Sequence, residues 1–500
     1  MGLTKNPATA LLARNGLDVL PNSAVSVDGT EAGLVASGQR VAILAPSGSQ
    51  VLSGFEGESS ATGNRTLLLG PMSAANLEAL RDLMPWLRPQ PLGTRTSAGF
   101  GDRLGLATPG HVRALRAAGG GLAPIFAQQS IREMERTGRS PREVLDDATW
   151  GAFAEGWQEG SGADADHLKT AEDVDSCVAA GYSFFTFDPG EYVDDGAETA
   201  DASALRTALE DLPWQDLEDV QADLKPRYLG RAFQAEGHEV SFDDHSLALA
   251  AVKYGAAVAL VARLYRHLQS AMGDKDFEVE VSVDETETPT THAQHVYIAT
   301  ELRRLGVRWV SLAPRYVGRF EKGVDFIGDV AEFEEDIEVH AAIARTVSPD
   351  GPYKLSLHSG SDKFSIYPAF VRQTMGLAHL KTAGTSYLEA LRTVSALDAD
   401  LFREIYDFAR GRYEEDRASY HVSASTDRAP DSVGDAELPA LLESFDAREI
   451  LHVTFGSVLK EARFRDRLLG LLREHSEHYA AGLERHFLRH LEPFANGGTP

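Results

Sequence analysis

The strongest pattern along the chain is a series of short alternating segments, each followed by a polar loop and a longer stretch of helical periodicity. In Lys354-Leu355-Ser356-Leu357-His358, Leu355 and Leu357 share one strand face, while Lys354, Ser356 and His358 share the other. The segment breaks at Gly360, before an amphipathic helix beginning near Phe364. Comparable strands are predicted at 97–105, 123–129, 164–169, 182–188, 277–285, 307–314, 353–359 and 377–382. Eight strands alternating with helices predict a TIM-type (β/α)8 barrel over residues 95–398. A doubly wound open sheet is the alternative, and the Gly-rich phosphate loop it would carry after its first strand is absent.

The flanks have other rhythms. Residues 1–90 mix short apolar runs such as 41–45 and 66–70 with Gly/Ser-rich turns, which predicts a small β-containing cap region closing with a helix over 74–84. Residues 190–245 are acidic and read as an inserted helical subdomain, ahead of a helix at 247–270. A helix over 387–397 is followed by a helical C-terminal extension, 399–500. Within it Leu468, Leu469, Leu471 and Leu472 form an apolar face, and His475, His478, His486 and His490 fall among Glu and Arg on what reads as a solvated face. The tail 495–500 is expected to be disordered.

Composition narrows the chemistry. The 500 residues are 43% hydrophobic and carry a formal charge of -27, which argues against nucleic acid or an anionic membrane as partner and requires any anionic substrate to meet a local basic pocket. With no run of eighteen apolar residues and no leader-like amino terminus, a cytoplasmic location is expected. Cys177 is the only cysteine and reads as a buried helix position. Any metal must therefore sit on histidine and oxygen ligands.

The predicted strand ends gather such ligands. They carry Asp102 and Arg103, Gln128 and Gln129, Asp164 to Lys169, Asp284 to Glu287, Arg315, His358 and Ser359, and finally His379, Lys381 and Thr382. Histidine and carboxylate together suit a divalent cation such as zinc, nickel, iron or manganese. Strict alternation places Asp284 and Glu285 on opposite faces, and likewise Asp166 and His167. Spacing alone does not choose between the members of each pair.

The stretches 162–170, 282–290, 311–315, 320–325, 354–364 and 379–387 resemble those of the bacterial tagaturonate/fructuronate epimerases, and the similarity spans most of residues 95 to 490. The resemblance implies a metal-dependent isomerase interconverting D-tagaturonate and D-fructuronate, C4 epimers of hexuronate catabolism. It implies His167, Asp325 and His358 as metal ligands, with Glu321 the alternative to Asp325, and Asp166 and Glu285 as proton-transfer residues, with Asp284 the alternative to Glu285. For the substrate carboxylate, Arg315 is the first choice because guanidinium pairs with carboxylate through two parallel hydrogen bonds; Lys381, Lys169 and Lys363 are the other cations. Gln128, Gln129 and Ser359 are candidates for sugar hydroxyls. A homo-oligomer is left open.

The C4 hydrogen is not α to the C2 ketone, so simple enolisation would invert the wrong carbon. Retro-aldol cleavage between C3 and C4, with a metal stabilising the enediolate, is the favoured route. Transient oxidation at C4 would call for a nicotinamide, whose Gly-rich fingerprint is missing. Two other readings stand beside this one: another metal-dependent barrel aldolase or ketose epimerase/isomerase, and a non-catalytic sugar-acid binding protein, which would lack the acid/base pair.

Overall fold

Alternation along the strands becomes the two sides of a closed barrel. The computed structural model describes residues 7–37, 39–348, 350–431 and 433–496. Its central strands are β1 (Ser97–Phe100), β2 (Ala123–Ser130), β3 (Gly162–Leu168), β4 (Phe184–Phe187), β5 (Glu278–Ser282), β6 (Ser311–Ala313), β7 (Lys354–Leu357) and β8 (Ala378–Thr382). All neighbours are parallel, and β8 closes on β1. Val279 and Val281 of β5, Leu355 and Leu357 of β7, and Ala378 and Leu380 of β8 join the main hydrophobic core, the layer shared with the surrounding helices. The intervening residues are polar and equally buried.

Contacts between strands that are not neighbours place those polar residues inside the lumen. Lys381 of β8 reaches Asp164 of β3 and Glu280 of β5, neither of which adjoins β8 in the sheet. The barrel is therefore filled by charge paired across its axis.

Most strands are shorter than their patterns predict, β1 and β6 most of all. β1 stops at Phe100 because the Asp102 carboxylate accepts backbone N–H bonds from Leu104, Gly105 and Ala107 at 2.7–2.9 Å, folding the chain into a loop. β6 keeps only three residues of the predicted eight.

The amino-terminal region is a five-stranded antiparallel sheet with the helix Ala74–Leu83, its core shared with Trp150 and Phe153 of the helix Pro141–Ala154. The insertion is helical at Ala202–Glu210 and Gln221–Tyr228 and also carries a hairpin, Ala232–Ala235 with His238–Ser241, which the pattern did not reveal. The following helix, Asp244–Met272, is long and apolar enough to span a bilayer, yet 78% of its most apolar window is buried against the protein. It is a core helix.

The carboxy-terminal extension is helical, and its last helix, Ser476–Asn496, packs along Thr108–Ala118. The solvated-face expectation holds for His475 and His478 and fails for His486 and His490, which are buried. His490 Nε2 accepts the backbone N–H of Asp362 at 2.9 Å, and His486 Nε2 lies 2.9 Å from the Asp362 carboxylate. These two histidines fasten the extension to the loop after β7. Of the tail expected to be disordered, 495 and 496 belong to the last helix, and 497–500 lie outside the described residues.

Candidate active site

At the carboxyl end of β3 the chain resolves the conflict between Asp166 and His167. The pairing of β3 with β4 shifts register between Ala165 and Leu168, and His167 adopts a left-handed φ of 56°. The bulge turns both side chains toward the barrel mouth, at a backbone cost of about 1–2 kcal/mol for a non-glycine residue. Strain of this kind collects where side chains must be re-aimed.

Both histidines are oriented through Nδ1. His167 Nδ1 donates to Asp188 Oδ2 at the end of β4, 2.8 Å away. His358 Nδ1 faces Ser282 Oγ at 3.0 Å and Glu280 Oε1 at 3.3 Å. The rings lie 4.4 Å apart. His358 Nε2 makes no hydrogen bond, although Asp166 Oδ1 is 3.2 Å from it. Ligand-type atoms of Asp166, His167 and His358 all lie within 4.8 Å of one another, as do those of His167, Asp188 and Glu285. Imidazoles anchored at one nitrogen, with the other turned toward a carboxylate, form the arrangement that holds metal ions.

Lys381 organises the floor. Its ammonium, fully buried, donates to Asp166 Oδ1 at 2.7 Å and Thr186 Oγ1 at 2.7 Å, with Asp164 Oδ2 at 2.8 Å and Glu280 Oε1 at 3.0 Å. Burial alone would favour the neutral amine, but the three carboxylates outweigh it and keep the group charged. Asp166 is driven the other way: burial favours its acid form, and Lys381, His167 and His358 hold it well below the usual range. Asp164 has less help, so burial pushes it up to about 7 despite Lys381. For His358, burial is outweighed by Asp284 and Asp166, raising it to about 10. Carboxylates dominate the surroundings, so a dication is electrostatically welcome.

Above this floor lies a cavity of about 610 Å³, lined by Glu285, Arg315, Lys322, His358, Ser359 and Tyr420 among others. Glu285 enters because β5 has already ended at Ser282. Its carboxylate accepts from Arg132 at 3.0 Å, with Lys322 at 3.6 Å and His167 Nε2 at 4.0 Å. Burial opposes ionisation there, and these three cationic or protonatable neighbours override it. Asp284 lines the same cavity, its Oδ1 accepting from Ser282 Oγ at 2.6 Å.

The structure thus gathers Asp166, His167, Glu285 and His358, and it does not bring Asp325 to them. Asp325 is exposed, its carboxylate accepting from Ser365 N at 3.2 Å and Ser365 Oγ at 2.9 Å, which pins two loops together. Glu321 is buried in the cavity wall and occupied by Ser423 N and Oγ at 2.8 and 2.7 Å. Nor is Lys381 offered to a ligand, being saturated by carboxylates. Lys169 stands half-exposed at the rim, 2.8 Å from Glu191. Lys363 is buried and donates to three backbone carbonyls. Gln128 donates to Asp166 Oδ2 at 2.9 Å, Gln129 donates to Glu133 at 3.2 Å, and Ser359 Oγ accepts from Lys322 at 2.9 Å. Arg315 lines the cavity, donating to Tyr316 O at 2.8 Å.

Sequence reasoning missed Arg132, Lys322 and Tyr420. Arg132 lies on the helix Ile131–Thr137 after β2, and Tyr420 reaches the cavity from the carboxy-terminal extension. None of the three sits at a strand end. The one sequence signal near Arg132 is Ser130 three residues before Glu133, a helix-start pattern, and Ser130 Oγ does accept Glu133 N–H.

Comparison with known proteins agrees with this geometry. Residues 26–494 match the sequence profile of the tagaturonate epimerase family, UxaE. The chain is 47% identical over 419 residues to the tagaturonate/fructuronate epimerase of Thermotoga maritima, covering 83% of this chain and 84% of that one. The native crystal structure of the fructuronate-tagaturonate epimerase UxaE from Cohnella laeviribosi superposes with a TM-score of 0.88 at 36% identity, covering 97% of this chain and 99% of that one. A form of that protein complexed with one glycerol gives the same TM-score and identity, covering 97% and 98%. With the barrel, its polar lumen and the two histidines at its mouth in place, this chain is an isomerase belonging to the tagaturonate epimerase family.

Proposed function

We propose that this protein interconverts D-tagaturonate and D-fructuronate at C4 with a divalent cation held by His167 and His358, leaving Asp166 and Glu285 on either side of the histidine pair for proton transfer. The observation that carries the reading is the pair of anchored imidazoles: Asp188 takes the Nδ1 proton of one, and Ser282 and Glu280 face Nδ1 of the other. His358 Nε2 is left without a hydrogen bond 3.2 Å from Asp166. That donor set fits zinc, nickel, iron or manganese. When bound, such an ion supplies Lewis-acid stabilisation for negative charge developing on the substrate's C2 and C3 oxygens.

The residues supply the rest. Glu285, kept ionised by its neighbours and open to the cavity, accepts the C4 hydroxyl proton. The C3–C4 electron pair then passes to the C2 carbonyl, giving a three-carbon enediolate and a three-carbon aldehyde that carries the carboxylate. The aldehyde turns its other face, C3 adds back, and the new C4 alkoxide takes a proton. Asp166, across the histidine pair from Glu285, serves the epimer whose hydroxyl points the other way. Arg315 and Lys322, two of the cations lining the cavity, hold the substrate carboxylate in this reading while the aldehyde turns. Retaining that fragment matters, because its escape would make the enzyme an aldolase.

In this route the C4–H bond never breaks. Substrate deuterated at C4 should therefore keep its label in the product, and an aldehyde-trapping hydrazine should capture the three-carbon fragment during turnover. Loss of the label to water would overturn the route. Retention with no trappable aldehyde, together with a reduced-nicotinamide absorbance, would replace it by transient oxidation.

A further inference from the structure

His292, Asp336 and His340 form a second convergence of ligand-type atoms that shares no residue with the candidate active site. The helix His292–Arg304 follows β5 and the helix Val330–Thr346 follows β6. Asp336 and His340, four residues apart, lie on one helix face. His292 Nε2 is 3.1 Å and His340 Nε2 3.5 Å from Asp336 Oδ1. Atoms sharing one tetrahedral cation at bonds of about 2.1 Å stand roughly 3.4 Å apart. The spacing matches.

His340 provides the independent observation. It is fully buried, and its Nε2 has no hydrogen-bond partner. Its other nitrogen is committed, since Nδ1 lies 2.8 Å from His295 Nδ1 and His295 Nε2 lies 2.7 Å from Tyr353 Oη. Metal binding selects the tautomer with His340 Nδ1–H donating to His295 and His295 Nε2–H donating to Tyr353, which turns the His340 Nε2 lone pair toward the space beside Asp336. Asp336 is oriented in turn, its second oxygen accepting Val317 N–H at 3.3 Å. A surface pair between His292 and Asp336 explains the 3.1 Å contact, and His340 Nε2 stays 3.5 Å from the same oxygen without a hydrogen bond.

We propose that His292, Asp336 and His340 bind a second divalent cation of the zinc class, which clips the helix after β5 to the helix after β6. Two imidazoles and one carboxylate suit that class, and the half-exposed His292 leaves room for solvent to complete the coordination. The clip lies under two loops of the cavity: Thr290 N donates to Arg315 O at 2.7 Å, and Val317 is held by Asp336. Its ion would brace the loops that carry Glu285 and Lys322 without touching substrate.

The test is calorimetric titration of the chelator-treated full-length protein with zinc alone, beside the His292→Ala and Asp336→Asn variants. Wild type should take up about one equivalent more than either variant, and zinc should raise the melting temperature of wild type further than theirs. Because His292 is half-exposed at a helix start, His292→Ala keeps the fold and decides the matter if Asp336→Asn does not fold. Equal uptake by wild type and folded His292→Ala overturns the proposal. The readout is the difference between them, so one equivalent in wild type and none in His292→Ala would keep this site and remove the cation from the active-site reading instead.

Discussion

The Asp188 carboxylate at the end of β4 holds His167 Nδ1 at 2.8 Å, so the ring that the β3 bulge swings inward presents only Nε2 to the cavity. Outer partners of this kind set the tautomer and basicity of a ligand, and losing one typically costs about 10–100-fold in metal affinity or activity. Asp188→Ala should therefore lower metal affinity and kcat by that order. Asp188→Asn, which keeps an acceptor oxygen, should lose less. Metal titration of both variants beside wild type checks the ranking, and equal affinities would remove Asp188 from the account.

Among the described residues, Lys381 is the sole cation within bonding distance of Asp164, Asp166 and Glu280 together. Replacing it by methionine keeps the side-chain length and strands buried carboxylates, at a cost of about 3–5 kcal/mol. Denaturant unfolding of Lys381→Met should show a lower midpoint. Raising the proton concentration should recover part of the loss, because the stranded acids then become neutral. A midpoint equal to that of wild type would mean that the lumen tolerates unpaired charge.

Lys322 bridges Ser359 and Glu285 at the cavity floor. If it holds the substrate carboxylate, Lys322→Ala should raise KM roughly tenfold or more with a smaller change in kcat, since a charge-assisted contact made equally in ground and transition states mainly alters binding. Arg132 touches Glu285 alone among the proposed catalytic groups. Arg132→Ala should act mainly on kcat, and both variants should move the acid limb of the pH profile upward, because Lys322 as well as Arg132 keeps Glu285 ionised. Steady-state kinetics across pH separate the two effects.

Glu321 of the cavity wall is backed by a second acid, Glu449. Burial pushes Glu449 up to about 8, partly countered by the Ala424 N–H, with Glu321 beside it adding to the rise. Below the ordinary glutamate range both folded and unfolded chains carry this proton, and its contribution to stability is complete. As pH climbs toward about 8, the unfolded chain ionises freely while the folded one must give up a proton that it holds tightly, so stability declines through that window. Glu449→Gln should flatten the decline. An unchanged slope of unfolding free energy against pH would assign it to another group.

Much of this was legible in the sequence because period-two patterns report which side of a strand is wet or charged, and in this barrel the charged side is the lumen. The strands carrying Asp164, Glu280, His358 and Lys381 were found that way. What escaped has physical causes. Residue spacing cannot show a bulge, so the placement of both Asp166 and His167 in the site had to wait for the register shift after Ala165. Asp325 read as a ligand, yet its loop turns it outward to cap Ser365. His486 and His490 looked like members of a solvated helix face because their partner, Asp362, is more than a hundred residues away in sequence. Tyr420 shares that long-range character. Lys381 read as a substrate cation, and only the positions of three other strands reveal that it is already saturated.

The most direct test of the central claim is to strip the protein of metal, supply D-tagaturonate, add back single divalent ions, and follow D-fructuronate by chromatography. The stripped protein should give no conversion, at least one ion should restore it, and no ion should restore it in His358→Ala. Full conversion by protein shown to be metal-free, or no conversion with any ion while the sugar acid still binds, would contradict that claim.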